Sequence, residues 1–415
     1  MLRYLRDSIS FHNASTISSV LLYNSLSWYF IGNEIVRYVA QAFTGVQSDT
    51  IALAYPISII IAGLVGAGLN AKGRSMKFLR IWLLLGLIAS LLPGLPWVAQ
   101  WPTALIFVLI IGSSLGLGMP SCFSYFADSV PNEERGKLGG IVFVFTTLTL
   151  PVLFLTPNLT SSLISSVIVF AIWRAWGFLL FSLSAGDQSF DMPSKRERSF
   201  PSVLADRNFR LYFAAWLMLA LVDSFASQLL FKQIMAIPSW IKMMEPAIAG
   251  ISALVAGILS DRIGRRRIVI FGFVSLGVAY AILGISKDVL GWIPLHVYTF
   301  YFAVDGLALG LLWVLFTIVL WGDLSLARST EKFYAIGNTP LFLSEIVAVV
   351  SASTLLPTSV SVPIFTLAAF FLFLSVVPLF YAEETLSGKI IQERQLKMYT
   401  GEALRLKQKV EQKQK

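Results

Sequence analysis

Charge is scarce in this chain: Asp, Glu, Lys and Arg make up 13% of its 415 residues, against roughly a quarter in soluble domains. With 56% hydrophobic residues and a mean hydropathy of +0.74, that scarcity excludes an ordinary soluble protein. Cysteine occurs once, at Cys122, so no intramolecular disulfide can form and the redox compartment leaves no mark. Two histidines, His12 and His296, are too few for a histidine-built metal or catalytic centre. No G-x-x-x-x-G-K loop occurs, which argues against ATP drive within the chain, and no nucleophile stands beside a base. The sequence therefore predicts neither an enzyme nor a bound cofactor. The polar start, MLRYLRDSISFHNAS, lacks a small-residue cleavage site after a short apolar run, so the first apolar span is expected to be retained.

Long apolar runs are what the chain has instead. Stretches of the roughly 20 residues that cross a bilayer lie at about 16–40, 50–69, 78–97, 103–126, 138–156, 161–183, 209–231, 240–259, 268–286, 294–320, 333–356 and 361–382. They predict an all-α integral membrane protein with twelve transmembrane helices in two six-helix halves, residues 1–183 and 209–382. Between the halves, the linker 184–208 gathers Asp187, Asp191, Lys195, Arg196, Glu197 and Arg198 with two prolines. Residues 383–415 read as a charged tail with sparse apolar positions, suited to a solvated or surface-lying helix.

Basic residues near span ends mark the cytoplasmic side of a membrane. With the N-terminus inside, all but five of the 32 Lys and Arg fall in cytoplasmic segments, the exceptions being Arg37, Arg174, Lys232, Lys242 and Lys287. Both termini are thus expected in the cytoplasm, with the chain multi-pass in the cell membrane. The net charge of +9 is then mainly topology, with acidic lipid headgroups as its partner and no nucleic acid.

Two pairs of segments repeat. GILSDRIGRRR, Gly257 to Arg267, has a decayed copy in GAGLNAKGRSM, Gly66 to Met76, which sets Gly73 on Gly264, Arg74 on Arg265 and Asn70 on Asp261. Asp128 stands nine residues before Lys137, as Asp323 does before Lys332. Internal duplication accounts for both. DRIGRRR after a Gly-containing eighth span, its copy between spans two and three, PNEERGKLGG after span four and LADRNFRLYF before span seven together resemble the major facilitator superfamily of secondary transporters. That resemblance covers the whole chain and implies alternating access between two halves.

In such a loop, a carboxylate and cations at the cytoplasmic mouth can bridge helix ends in one conformation and part in another. Asp261 with Arg265, Arg266 or Arg267 is the candidate latch, with Arg262, Gly264, Gly73, Arg74, Asp128, Arg135 and Asp323 completing the loop motifs. The same cations also fit a purely topological role. Asn70 has lost the acid that the family usually keeps in its N-terminal half. Span four carries no Lys or Arg, and span five lacks the glycine-rich Gly-Pro pattern that resembles drug/proton antiporters.

Charges inside spans are costly and ask for a function or a partner. Counting about 1.5 Å per residue puts Asp223, Asp305 and Glu345 near mid-bilayer in spans seven, ten and eleven, with no Lys or Arg at their depth in that half. They are candidates for a proton, or another cation, as well as for solute. Asn24 and Trp28 on span one are the uncharged candidates for the solute cavity. Glu34 and Arg37 read as a local pair, or with Lys232, which aligns with Arg37 at the repeat offset, as an outer gate. Arg174 lies too deep to snorkel and calls for a buried partner, for which a carboxylate is the expectation. The reading is a secondary transporter of a small organic solute, expected to be a proton symporter; the alternative is a proton-coupled exporter of cationic or amphipathic compounds.

Overall fold

The computed structural model describes residues 2–69, 76–94, 100–154, 163–184, 199–234, 238–325, 329–354 and 363–386. Among them the regular structure is helical throughout. The long helices are α1 (Leu2–Gln41), α2 (Val46–Leu69), α3 (Met76–Leu91), α4 (Trp101–Ser129), α5 (Arg135–Phe154) and α6 (Leu163–Ser184). After a short α7 (Phe200–Leu204) come α8 (Arg207–Ile234), α9 (Ser239–Ile263), α10 (Arg265–Leu290) and α11 (Leu295–Val314). Then follow α12 (Leu320–Ser325), α13 (Thr330–Gly337), α14 (Thr339–Thr354), α15 (Ile364–Leu374) and α16 (Val376–Tyr381). Each apolar run read from the sequence overlaps a helix. Eight helical stretches among the described residues are long and apolar enough to cross a membrane.

Helix ends follow local chemistry. α4 begins with Pro102 in its first turn, where the missing N–H costs nothing, and stops at Val130 before Pro131. α10 ends on Gly291 in the left-handed region, φ 74°. α1 starts at Leu2 rather than near residue 16, because its polar first turns continue the helix beyond the apolar run. Between α11 and α12 the helix widens to a π turn, Leu315–Val319. Side chains from α13 and its cap meet the carbonyls there: Tyr334 Oη donates to Ile318 O at 2.5 Å and Asn338 Nδ2 to Thr317 O at 3.3 Å.

On α2, Ile57, Ile61, Val65 and Leu69 form an exposed stripe at four-residue spacing, while Tyr55, Ile59, Gly63 and Gly66 are buried. An outward apolar face of this kind suits lipid, where only the backbone need be satisfied internally. Inside, α2 packs on α4 and α9 on α11; α5 crosses α9, and α2 crosses α14. The α5–α9 approach depends on small residues, since a Cβ at Gly257 would strike the Gly136 backbone.

Candidate functional site

Polar groups collect in four places. The first is the bundle end that carries the start of α5 and the α9–α10 junction. Asp323 pairs with Arg135, and Arg265 Nε reaches it at 3.2 Å; all three side chains are buried. Asp261 caps α5 from across the packing interface, accepting from Gly136 N at 3.0 Å and Lys137 N at 2.7 Å. A carboxylate at a helix N-terminus is favoured by the exposed N–H groups and the helix dipole. Arg265 Nη1 forms an ion pair with Asp261 Oδ1 at 2.5 Å, and its Nη2 donates to Asn132 O at 2.6 Å. Early and late helices are thus bolted together at this end.

At the opposite end a cavity of about 240 Å³ is lined by Tyr29, Phe30, Asn33, Glu34, Arg37, Trp313 and Glu345. The five α1 residues share one face, because positions 29, 33 and 37 repeat at helical spacing and 30 and 34 lie beside them. Glu345 on α14 accepts from Tyr29 Oη at 2.5 Å and from Asn33 Nδ2 at 3.2 Å. Arg37 and Glu34 pair at 2.9 Å and stay largely exposed. Phe30 stacks on Trp313 with ring centroids 6.2 Å apart.

The third cluster lies among the later helices. Tyr280 donates to Asp223 Oδ1 at 2.8 Å, and Tyr301 donates to Tyr280 at 3.1 Å. Asp305, one turn beyond Tyr301, is buried, with Asp223 and Glu245 as its charged neighbours. Its Oδ1 has no hydrogen-bond partner among the described residues.

The fourth surrounds Arg174, which is 0% exposed. Its guanidinium lies 3.9 Å from the centroid of Trp28 and 4.5 Å from that of Trp82, and donates to Asn24 Oδ1 at 3.2 Å. Asn24 in turn donates to Trp173 O at 2.8 Å. A desolvated cation on an aromatic face gains about 2 kcal/mol. Two such faces are comparable with the roughly 2.5–3.5 kcal/mol that an arginine costs at a helix centre on insertion scales.

No protein-family model matches the sequence, and no curated protein matches it. A solved structure does: the MFS (major facilitator superfamily) proton:xylose symporter XylE, bound to 6-bromo-6-deoxy-D-glucose, superposes with a TM-score of 0.63 over 91% of this chain and 97% of that one, at 14% identity. This chain has the major facilitator fold. The protein is accordingly a multi-pass membrane protein, and its solved counterpart is a transporter rather than an enzyme.

Within the major facilitator fold the residues singled out from the sequence separate. Glu345, Glu34 and Arg37 line the open cavity together. Asp223 and Asp305 do not line it but sit in their own cluster with Glu245. Asn24 and Trp28, expected at a solute cavity, instead enclose Arg174, and the carboxylate expected for Arg174 is replaced by an amide oxygen and two indole faces. In the loop motif, Asp261 meets Arg265, whereas Arg266 Nη1 donates to Ala382 O at 2.8 Å, and Arg262 and Arg267 are exposed. Asp128 accepts from Ser124 at 3.2 Å. Gly73 and Arg74 lie outside the described residues, as does the Lys232 side chain.

Glu384 was not singled out in the sequence. It accepts from Arg265 N at 2.7 Å and Arg266 N at 3.1 Å, capping α10. Gly264, at φ 104°, leaves room for that carboxylate where a Cβ would collide with it. Glu383 O accepts from Tyr212 at 2.9 Å, and Leu386 is buried, so the folded body runs past residue 382, where the tail was expected to begin. A Glu in a charged stretch carries no sequence signal that distinguishes a cap from a solvated side chain.

Proposed function

We propose that this chain is a secondary transporter that moves a small organic solute by alternating access, coupled to a proton. The observation that carries the proposal is the contrast between the two ends: a cavity open beside Glu345, and buried ion pairs among Arg135, Asp261, Arg265 and Asp323 that close the other end. That combination is one of the two states alternating access requires, open on one side and sealed on the other. The solved counterpart's description as a proton:xylose symporter adds to it.

The moving bodies are two six-helix halves, residues 1–183 and 209–382, each contributing six of twelve spans. Their packing repeats in support of this: α2 on α4 corresponds to α9 on α11, α3 on α6 to α10 on α15, and α1 on α5 to α8 on α14. Crossing contacts repeat too, since α5 on α9 corresponds to α14 on α2. Basic residues assign the sealed end to the cytoplasm. Asp261, Arg265 and Asp323 then act as the latch, parting when the cavity turns inward.

Proton coupling falls to Asp223, Asp305 and Glu345, carboxylates without a Lys or Arg hydrogen-bonded to them among the described residues. In vesicles holding only this protein, Asn or Gln at the coupling residue should abolish uphill, gradient-driven accumulation of a labelled solute while leaving downhill exchange. Full gradient-driven accumulation by Asp223→Asn, Asp305→Asn and Glu345→Gln alike would remove the coupling assignment.

A further inference from the structure

The open cavity has a charge count and a shape that narrow its ligand, and the inference rests on the transport reading for what the site is for. Three charged side chains line it, Glu34, Arg37 and Glu345. Glu34 and Arg37 pair at 2.9 Å, whereas among the described residues Glu345 is hydrogen-bonded to uncharged donors, Tyr29 and Asn33, with Arg37 a charged neighbour that is not hydrogen-bonded to it. One carboxylate is in excess. Tyr29 and Asn33 both donate to Oε1, which fixes the carboxyl group and leaves Glu345 further acceptor positions, since a carboxylate offers about four.

Phe30 and Trp313, which line the same cavity, stack with their planes 19° apart and give it an aromatic wall. Ring faces attract cations through their quadrupole and also pack apolar groups. A solute carrying a carboxylate would meet net repulsion here whenever Glu345 is ionised, and a neutral polyol would leave that charge uncompensated until a proton arrives. A cation with a compact apolar body answers both the charge and the wall. At about 240 Å³ the cavity falls just below the roughly 300–1,000 Å³ of drug-sized sites, which keeps the ligand small. We propose that this cavity selects a small organic monocation, its cationic centre against Glu345 and its apolar groups against Phe30 and Trp313.

The test is calorimetric titration of the full chain in lipid nanodiscs with choline and with benzyltrimethylammonium, both permanently charged, against 3,3-dimethyl-1-butanol, the neutral isostere of choline, and D-xylose. At least one cation should bind saturably and ten-fold or more tighter than the alcohol, and Glu345→Gln should weaken it ten-fold or more. Arg37→Gln should strengthen it several-fold by freeing Glu34, a gain that misfolding cannot produce. Absence of binding by both cations, equal binding of the alcohol, or a cation affinity unmoved by both substitutions would overturn the proposal. Binding of D-xylose without either cation would overturn it in favour of a polyol site. The transport reading fails separately: a protein that binds cations but exchanges no solute across vesicles keeps the ligand class and loses the transport.

Discussion

Arg174 shows how far a single side chain depends on its surroundings for its place in the membrane. Its guanidinium is held between Trp28 and Trp82, and its Nε lies 2.6 Å from where a Cβ on Gly86 would stand. Gly86→Ala gains about 1 kcal/mol of helix propensity, yet the added methyl meets both the guanidinium and the Trp28 ring at 3.0 Å. Overpacking of this kind costs roughly 1–3 kcal/mol. We predict a lowered thermal midpoint for Gly86→Ala in detergent, and a larger loss for Arg174→Ala; an unchanged midpoint in both would mean that the cluster holds nothing together. Asn24 and Trp28 were legible as a polar and an aromatic residue four apart within an apolar run, which puts them on one face. Which face it was depended on α3 and α6, and no spacing within α1 contains that information. Glu345 was easier to read, because a carboxylate in an apolar run stands out whatever surrounds it.

Helices in this molecule end on carboxylates borrowed from elsewhere in the chain. Asp261 of α9 caps α5, and Glu384, beyond α16, caps α10. The two are expected to differ in weight. Asp261 also pairs with buried Arg265, which keeps Asp323 as its second carboxylate, so Asp261→Asn loses a cap and one of two ion pairs and should cost about 1.5–3 kcal/mol in the sealed conformation. Glu384→Ala removes a cap alone and should cost about 1 kcal/mol. Urea titration of helical signal in nanodiscs would compare them, and a Glu384 variant as damaging as the Asp261 variant would contradict the ranking. The loop motif was legible from its charges and from Gly264, because a run of Arg after Asp and Gly between two apolar spans marks a tight, charged turn. Its pairing was not: Arg265, Arg266 and Arg267 are equivalent in sequence, and only the turn at Gly264 decides that Arg265 points inward.

At the scale of the whole molecule, hydropathy carried the helical architecture, since every apolar run overlaps a helix. The division of the acids into a cavity group at Glu345 and a separate cluster at Asp223, Glu245 and Asp305 was hidden. Depth along a span is countable from sequence, whereas rotation about the helix axis and the partner helix are not. The central claim is that the two ends open in turn. It is tested most directly by spin-label distances in nanodiscs, on a Cys122→Ser background, with one label pair at exposed Leu69 and Arg267 near the sealed end and another at exposed Tyr38 and Leu290 near the cavity. The account predicts that Asp261→Asn lengthens the Leu69–Arg267 distance while shortening Tyr38–Leu290, two populations exchanging in opposite senses. A single distance for each pair, unmoved by Asp261→Asn and by every solute that binds, would contradict it.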